Sequence, residues 1–155
     1  MGNITIRPAV EGDLTAYNEL LKDFHKASPM DGVVEFSPAG CLQFLNTSVT
    51  NESVLLLVAE IDNEIVGVTA AVLYPMYFNP NALVAQELWW WLTPTARGSG
   101  AGNLMFKELE QWSKNKGASV LFMIALEDER ANAMEKVYAR AGFKPMERTF
   151  SKELR

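Results

Sequence analysis

The apolar run ELWWWL, residues 87–92, leads through Thr93 into PTARGSGAG, residues 94–102, and an amphipathic stretch follows. Three glycines within five positions would weaken the body of a strand or a helix, so they mark a junction between the two. Downstream, Leu104, Met105, Leu109 and Trp112 recur at helical spacing as far as Gly117. SVLFMIAL, residues 119–126, is then a short apolar run of the kind a sheet buries on both faces. Strand, glycine turn, helix and strand over residues 86–126 predict a parallel crossover, which commits the chain to a mixed α/β domain.

The other segments fit around that unit. ITIR at residues 4–7 reads as a first strand, and Asp13 can cap a helix running to about His25 with Leu14, Tyr17, Leu20, Leu21 and Phe24 on one face. KASPMDGVVEFSP is a loop, and a shorter helix after Ser37-Pro38 carries Cys41, Leu42, Phe44 and Leu45. Two β-rich runs around Asp62-Asn63 make the strongest hairpin signal in the chain. MYFNPNALVA reads as an apolar loop, NAMEKVYARA as a helix ended by Gly142, and FKPMERTFSKEL as a final strand or hairpin. No repeat or linker divides residues 1–155, so a single domain is expected.

Charge and cysteine content narrow the function classes. A formal net charge of −5 disfavours nucleic acid, which requires clustered Lys and Arg, and suits a cationic ligand better. Cys41 is the only cysteine, so no intrachain disulfide forms and a reducing cytoplasm is the expected location. Cys41 reads either as a nucleophile or, with one histidine far away, as packed apolar filler. No apolar run approaches the ~18 residues of a membrane span, and residues 1–8 lack a basic-then-apolar signal.

The glycine loop has two readings. It is a turn chosen for conformational freedom, or its bare backbone and the following helix start seat an anion, with Arg97 adding a forked cation. No Lys-Ser/Thr follows the last glycine, so it is not a Walker loop, and the G-x-G-x-x-G dinucleotide spacing is absent.

The pattern Arg97-Gly98-Ser99-Gly100-Ala101-Gly102 resembles the Arg-x-x-Gly-x-Gly loop of the GNAT superfamily of N-acetyltransferases. Leu92-Thr93-Pro94 stands where that family has Val-x-Pro, and Asn132, Tyr138 and Gly142-Phe143 match its Asn…Tyr-x-x-x-Gly-Phe arrangement. The wording ELWWWLTPTARGSGAG is also similar to small members carried by bacteriophages. The resemblance implies a mostly antiparallel central sheet of about six to seven strands flanked by about four helices. It also implies acetyl-CoA as cosubstrate, no metal, and direct transfer of the acetyl group to an amine. Residues 97–102 would grip the pyrophosphate through backbone amides, with Asn132 also at the coenzyme, and the backbone at Trp91 and Leu92 would pair with the pantetheine arm.

Two side chains are candidates for proton transfer. Tyr138 is a core tyrosine with a satisfied hydroxyl or, as the resemblance implies, the general acid for the leaving thiolate. Glu87 lies in an apolar strand, either at its solvated start or as a general base whose pKa is raised by burial. Strand alternation puts Glu87 with Trp89 and Trp91, opposite Leu88, Trp90 and Leu92. Asp31, Glu35 and the net charge hint at a cationic amine acceptor, and the loop at residues 74–86 offers a homodimer surface. A rival reading is a catalytically weak member that acts by binding acyl-CoA or a protein partner.

Overall fold

The computed structural model describes residues 2–154. Its strands are β1 (Ile4–Pro8), β2 (Val54–Ile61), β3 (Glu64–Met76), β4 (Asn79–Leu92) and β5 (Ala118–Phe122). The helices are α1 (Leu14–Ala27), α2 (Pro38–Ser48), α3 (Ala101–Asn115) and α4 (Ala131–Arg140). Among the described residues the strands form one sheet in the order β1-β2-β3-β4-β5, antiparallel except for the parallel β4–β5 pair. This is the mixed α/β fold expected, with five strands rather than six or seven. The missing strand is the C-terminal one: residues 143–154 enter no ladder.

The β2–β3 turn follows from its sequence, because Asp62 and Asn63 both take positive φ, 52° and 67°, as a tight hairpin requires. Ser37 caps α2 by accepting from the Gly40 amide at 3.2 Å. Asp13 stands at the start of α1 without capping it. Its carboxylate accepts from the Val10 amide and from Arg7, which also pairs with Glu60, so β1, β2 and the entry to α1 are tied together. MYFNPNALVA is not a free loop: Met76 pairs with Asn79 across a Tyr77-Phe78 tip, residues 80–82 loop out, and the ladder resumes at Pro75↔Leu83.

Helices α1 and α2 cover one face of the sheet, where Leu14, Tyr17, Leu21, Leu45, Val58, Val68, Ala70 and Trp91 form the larger core. Helix α3 covers the other face, with Ala101 and Met105 packed against Ala59, Trp90 and Leu92. A buried polar chain crosses the first core: Trp89 Nε1 donates to Tyr17 Oη at 2.9 Å, and Tyr17 donates to the Thr69 carbonyl at 2.8 Å. Tyr17→Phe would leave the Trp89 indole without its acceptor and take one donor from the Thr69 carbonyl. A loss of about 1–3 kcal/mol in urea denaturation is the expected result.

Candidate active site

The site begins where two strands part. β4 and β5 pair from Leu83↔Ala118 to Gln86↔Phe122 and no further, while β4 runs on to Leu92 paired only with β3. Residues 87–92 therefore have one free backbone edge, and the glycine turn lies at its end.

An irregularity in β4 decides what faces the fork. Ala70 pairs with Trp89 and Ala71 with Glu87, so Leu88 is an extra residue bulged out of the ladder. Directly opposed residues share a face, and Ala70 belongs to the α1/α2 core together with Trp89 and Trp91. Glu87, opposite Ala71, is therefore on the other face, the one shared by Trp90 and α3. The simple alternation that grouped Glu87 with Trp89 and Trp91 is corrected by this bulge. The split of the tryptophans is as expected, with Trp90 on the face opposite Trp89 and Trp91.

Glu87 is 3% exposed, which settles against a solvated strand start. Its Oε2 accepts from the Ile124 amide at 3.0 Å, and Tyr138 Oη donates to the Ile124 carbonyl at 2.8 Å. One residue just past β5 thus holds both candidate groups by its two backbone polar atoms. Burial lifts the Glu87 carboxyl from its ordinary value to about 7, with the Ile124 hydrogen bond opposing. Burial, then the negative charge of Glu87, push the Tyr138 phenol well above its ordinary value. Tyr138 is itself buried and touches Phe143, which packs on Phe106 of α3.

At the mouth of the fork, Gly98 and Gly100 have φ of 82° and 96°, a conformation that L side chains adopt at a cost, and Gly100 caps α3. A Cβ built at either position meets no atom within 4 Å, so the backbone there is open to a ligand. Gly102 serves differently: a Cβ there would lie 3.2 Å from Leu92 and 3.5 Å from Trp90, so its absence lets α3 press against β4. The Ser99 side chain accepts from the Ala101 amide, and the helical ladder begins with Leu104 donating to Gly100. The amides of Gly102 and Asn103 thus lie ahead of it, as helix-start donors do.

Arg97 is exposed and donates from Nε to the Leu92 carbonyl at 3.3 Å, with its guanidinium 4.8 Å from the Trp91 ring centre. The Arg130 guanidinium lies 5.7 Å from the same ring, so two cations stand by Trp91. Asn132 is exposed on the first turn of α4. Sequence reasoning missed Ile124, because its role is carried by backbone atoms, and Arg130, whose neighbour Trp91 is distant along the chain. Among the described residues, no three His, Cys, Asp or Glu side chains gather to hold a metal ion, and no helix is long and apolar enough to cross a membrane.

The fold that carries this fork is one the chain shares with solved acetyltransferases. The family model for the acetyltransferase (GNAT) family matches residues 14–143, and the chain belongs to that family. Aminoglycoside N-acetyltransferase AAC(6')-Iy in complex with CoA is similar at 18% identity, TM-score 0.79, over 100% of this chain and 97% of that one. A predicted acetyltransferase with acetyl-CoA from Clostridium acetobutylicum is 19% identical, TM-score 0.76, over 98% and 97%. A transcriptional regulator from Bacillus halodurans C-125 is 21% identical, TM-score 0.78, over 97% and 99%. At these identities the likeness is one of fold. No curated protein matches the sequence.

Proposed function

We propose that the protein transfers an acetyl group from acetyl-CoA to an amine, with Glu87 as general base and Tyr138 as general acid. The observation that carries the reading is the convergence of a buried carboxylate and a buried phenol on Ile124, beside the free edge of β4. The backbone edge at Trp91 and Leu92 pairs with the pantetheine arm. The open loop at Gly98, Ser99 and Gly100, the helix-start amide of Gly102, that of Ala101 once it leaves the Ser99 side chain, and Arg97 hold the pyrophosphate. For Arg97 this means leaving the Leu92 carbonyl, which it occupies in the free protein. Asn132, on the first turn of α4, completes the coenzyme contacts.

The chemistry then balances without a covalent enzyme species. The amine nitrogen attacks the thioester carbon, its proton passes to the Glu87 carboxylate, the carbon–sulfur bond breaks, and the Tyr138 hydroxyl gives its proton to the thiolate. A carboxyl with a pKa of about 7 is half ionised at neutral pH and is therefore both available and basic enough to serve. The bound CoA and acetyl-CoA of the structural neighbours support the choice of cosubstrate. The aminoglycoside acetyltransferases among them support a small amine as acceptor.

Calorimetric titration of acetyl-CoA tests the seat. Binding to the wild type is expected, and Gly100→Ala should weaken it about tenfold, because a methyl group strains the left-handed turn by roughly 1–2 kcal/mol and the free loop relaxes away from the shape that the coenzyme then has to restore. No heat with the wild type would refute the coenzyme assignment. Thiol release from acetyl-CoA across a panel of amines then separates a transferase from a protein that only binds.

A further inference from the structure

β4 and β5 part after Gln86↔Phe122, and the chain beyond each strand forms one lip of the fork. On the first lip, Arg97 follows β4 and lies over Trp91, with its Nε donating to the Leu92 carbonyl. On the second, Arg130 stands where the connection leaving β5 enters α4. Its guanidinium lies 5.7 Å from the centre of the same indole, so this side chain crosses the gap between the parted strands.

Asp128 fixes that reach. Its Oδ1 accepts from the Arg130 amide at 2.8 Å, and its Oδ2 accepts from Nε and Nη2 of the guanidinium at 3.2 and 2.7 Å. One carboxylate thus holds both backbone and side chain, and the guanidinium is aimed before any ligand arrives. Trp91 brings a further donor: its Nε1 is buried and, among the described residues, has no hydrogen-bond partner. The two guanidinium groups cannot serve it, because they too only donate. The corner gathers donors from both lips and is short of acceptors, which an anion would supply.

We propose that Arg130 is a second cation for the pyrophosphate of acetyl-CoA, closing on it from the lip opposite Arg97. The proposal rests on the coenzyme assignment above. Both guanidinium groups flank one indole, close enough for a diphosphate between them to reach both. Leaving the ring is favourable, since a guanidinium bonds more strongly to a phosphate than to an aromatic face. Charge adds a reason. Glu127, Asp128 and Glu129 lie on this lip of a chain with net charge −5, and they repel a polyanion unless a cation offsets them.

Calorimetry of the wild type and Arg130→Gln with acetyl-CoA and acetyl-dephospho-CoA, at low and high salt, tests this. With 35% of its side chain exposed, Arg130 can be replaced without emptying a core. At low salt the variant should bind acetyl-CoA about tenfold more weakly than the wild type. At about 0.5 M salt the gap should narrow, because an exposed ion pair is screened. Acetyl-dephospho-CoA, which lacks only the 3′-phosphate, should show the same gap. A gap that disappears with it overturns the pyrophosphate assignment in favour of the 3′-phosphate. A gap equal at both salts makes Arg130 a residue that only shapes the lip, and equal affinities make it a cover for Trp91. Either result overturns the proposal, while binding by the wild type preserves the coenzyme assignment. No binding by the wild type removes the assignment and the proposal together.

Discussion

Glu87→Gln is expected to lower kcat by about 10²–10⁴-fold and, at the same time, to make the folded protein more stable at neutral and higher pH. The two effects share one cause. The carboxyl rises from an ordinary 4.5 to about 7 because folding strips it of water. Below pH 4.5 it is protonated in the folded and unfolded chains alike and costs nothing. Between 4.5 and about 7 the unfolded chain releases this proton first, so stability falls as pH rises. Above about 7 the loss is complete, on the order of 3 kcal/mol.

Glutamine keeps the shape and the oxygen that accepts from Ile124, and it carries no charge to desolvate. Urea denaturation of both proteins should therefore show an advantage for Gln that opens between pH 4.5 and 7 and then stays level. In the same window wild-type kcat should climb and flatten as the base ionises, and the variant should lack that limb. A pH-independent stability difference would sink the desolvation argument. Retained activity would remove Glu87 from the mechanism.

Tyr138→Phe is the second large effect: kcat should fall about 10²–10³-fold while the affinity for acetyl-CoA changes by less than about threefold. The hydroxyl now donates to the Ile124 carbonyl, and its loss should cost stability of about 1–2 kcal/mol. That cost is separable from catalysis by assaying well below the melting temperature. Because the phenol titrates above its ordinary range, the wild-type profile should show no falling limb from Tyr138 at moderately alkaline pH. A variant that loses stability but keeps kcat would make Tyr138 a packing residue only.

Much of this architecture was legible residue by residue. The Asp62-Asn63 hairpin was readable because two β-rich runs flank a pair that tolerates positive φ, and the glycine turn because a strand pattern gives way there to a helical one. What escaped reading has physical reasons. The first part of β4 looks like a loop because Asn79, Pro80 and Asn81 are turn formers, yet pairing with β3 overrides them on either side of residues 80–82. The bulge at Leu88 leaves no mark in an apolar run, since one more leucine does not disturb composition, only parity. Ile124 contributes through atoms that every residue possesses. For residues 143–154 the alternating pattern was visible, yet among the described residues the segment enters no ladder.

The bulge also separates two environments within one strand. Trp89 and Trp91 answer to Tyr17, Phe24 and Phe44 across one wall of the sheet, whereas Glu87 answers to Ile124 and the face of Tyr138 across the other. A buried carboxylate and an aromatic wall, only two positions apart in the chain, thus stand on opposite sides of the sheet.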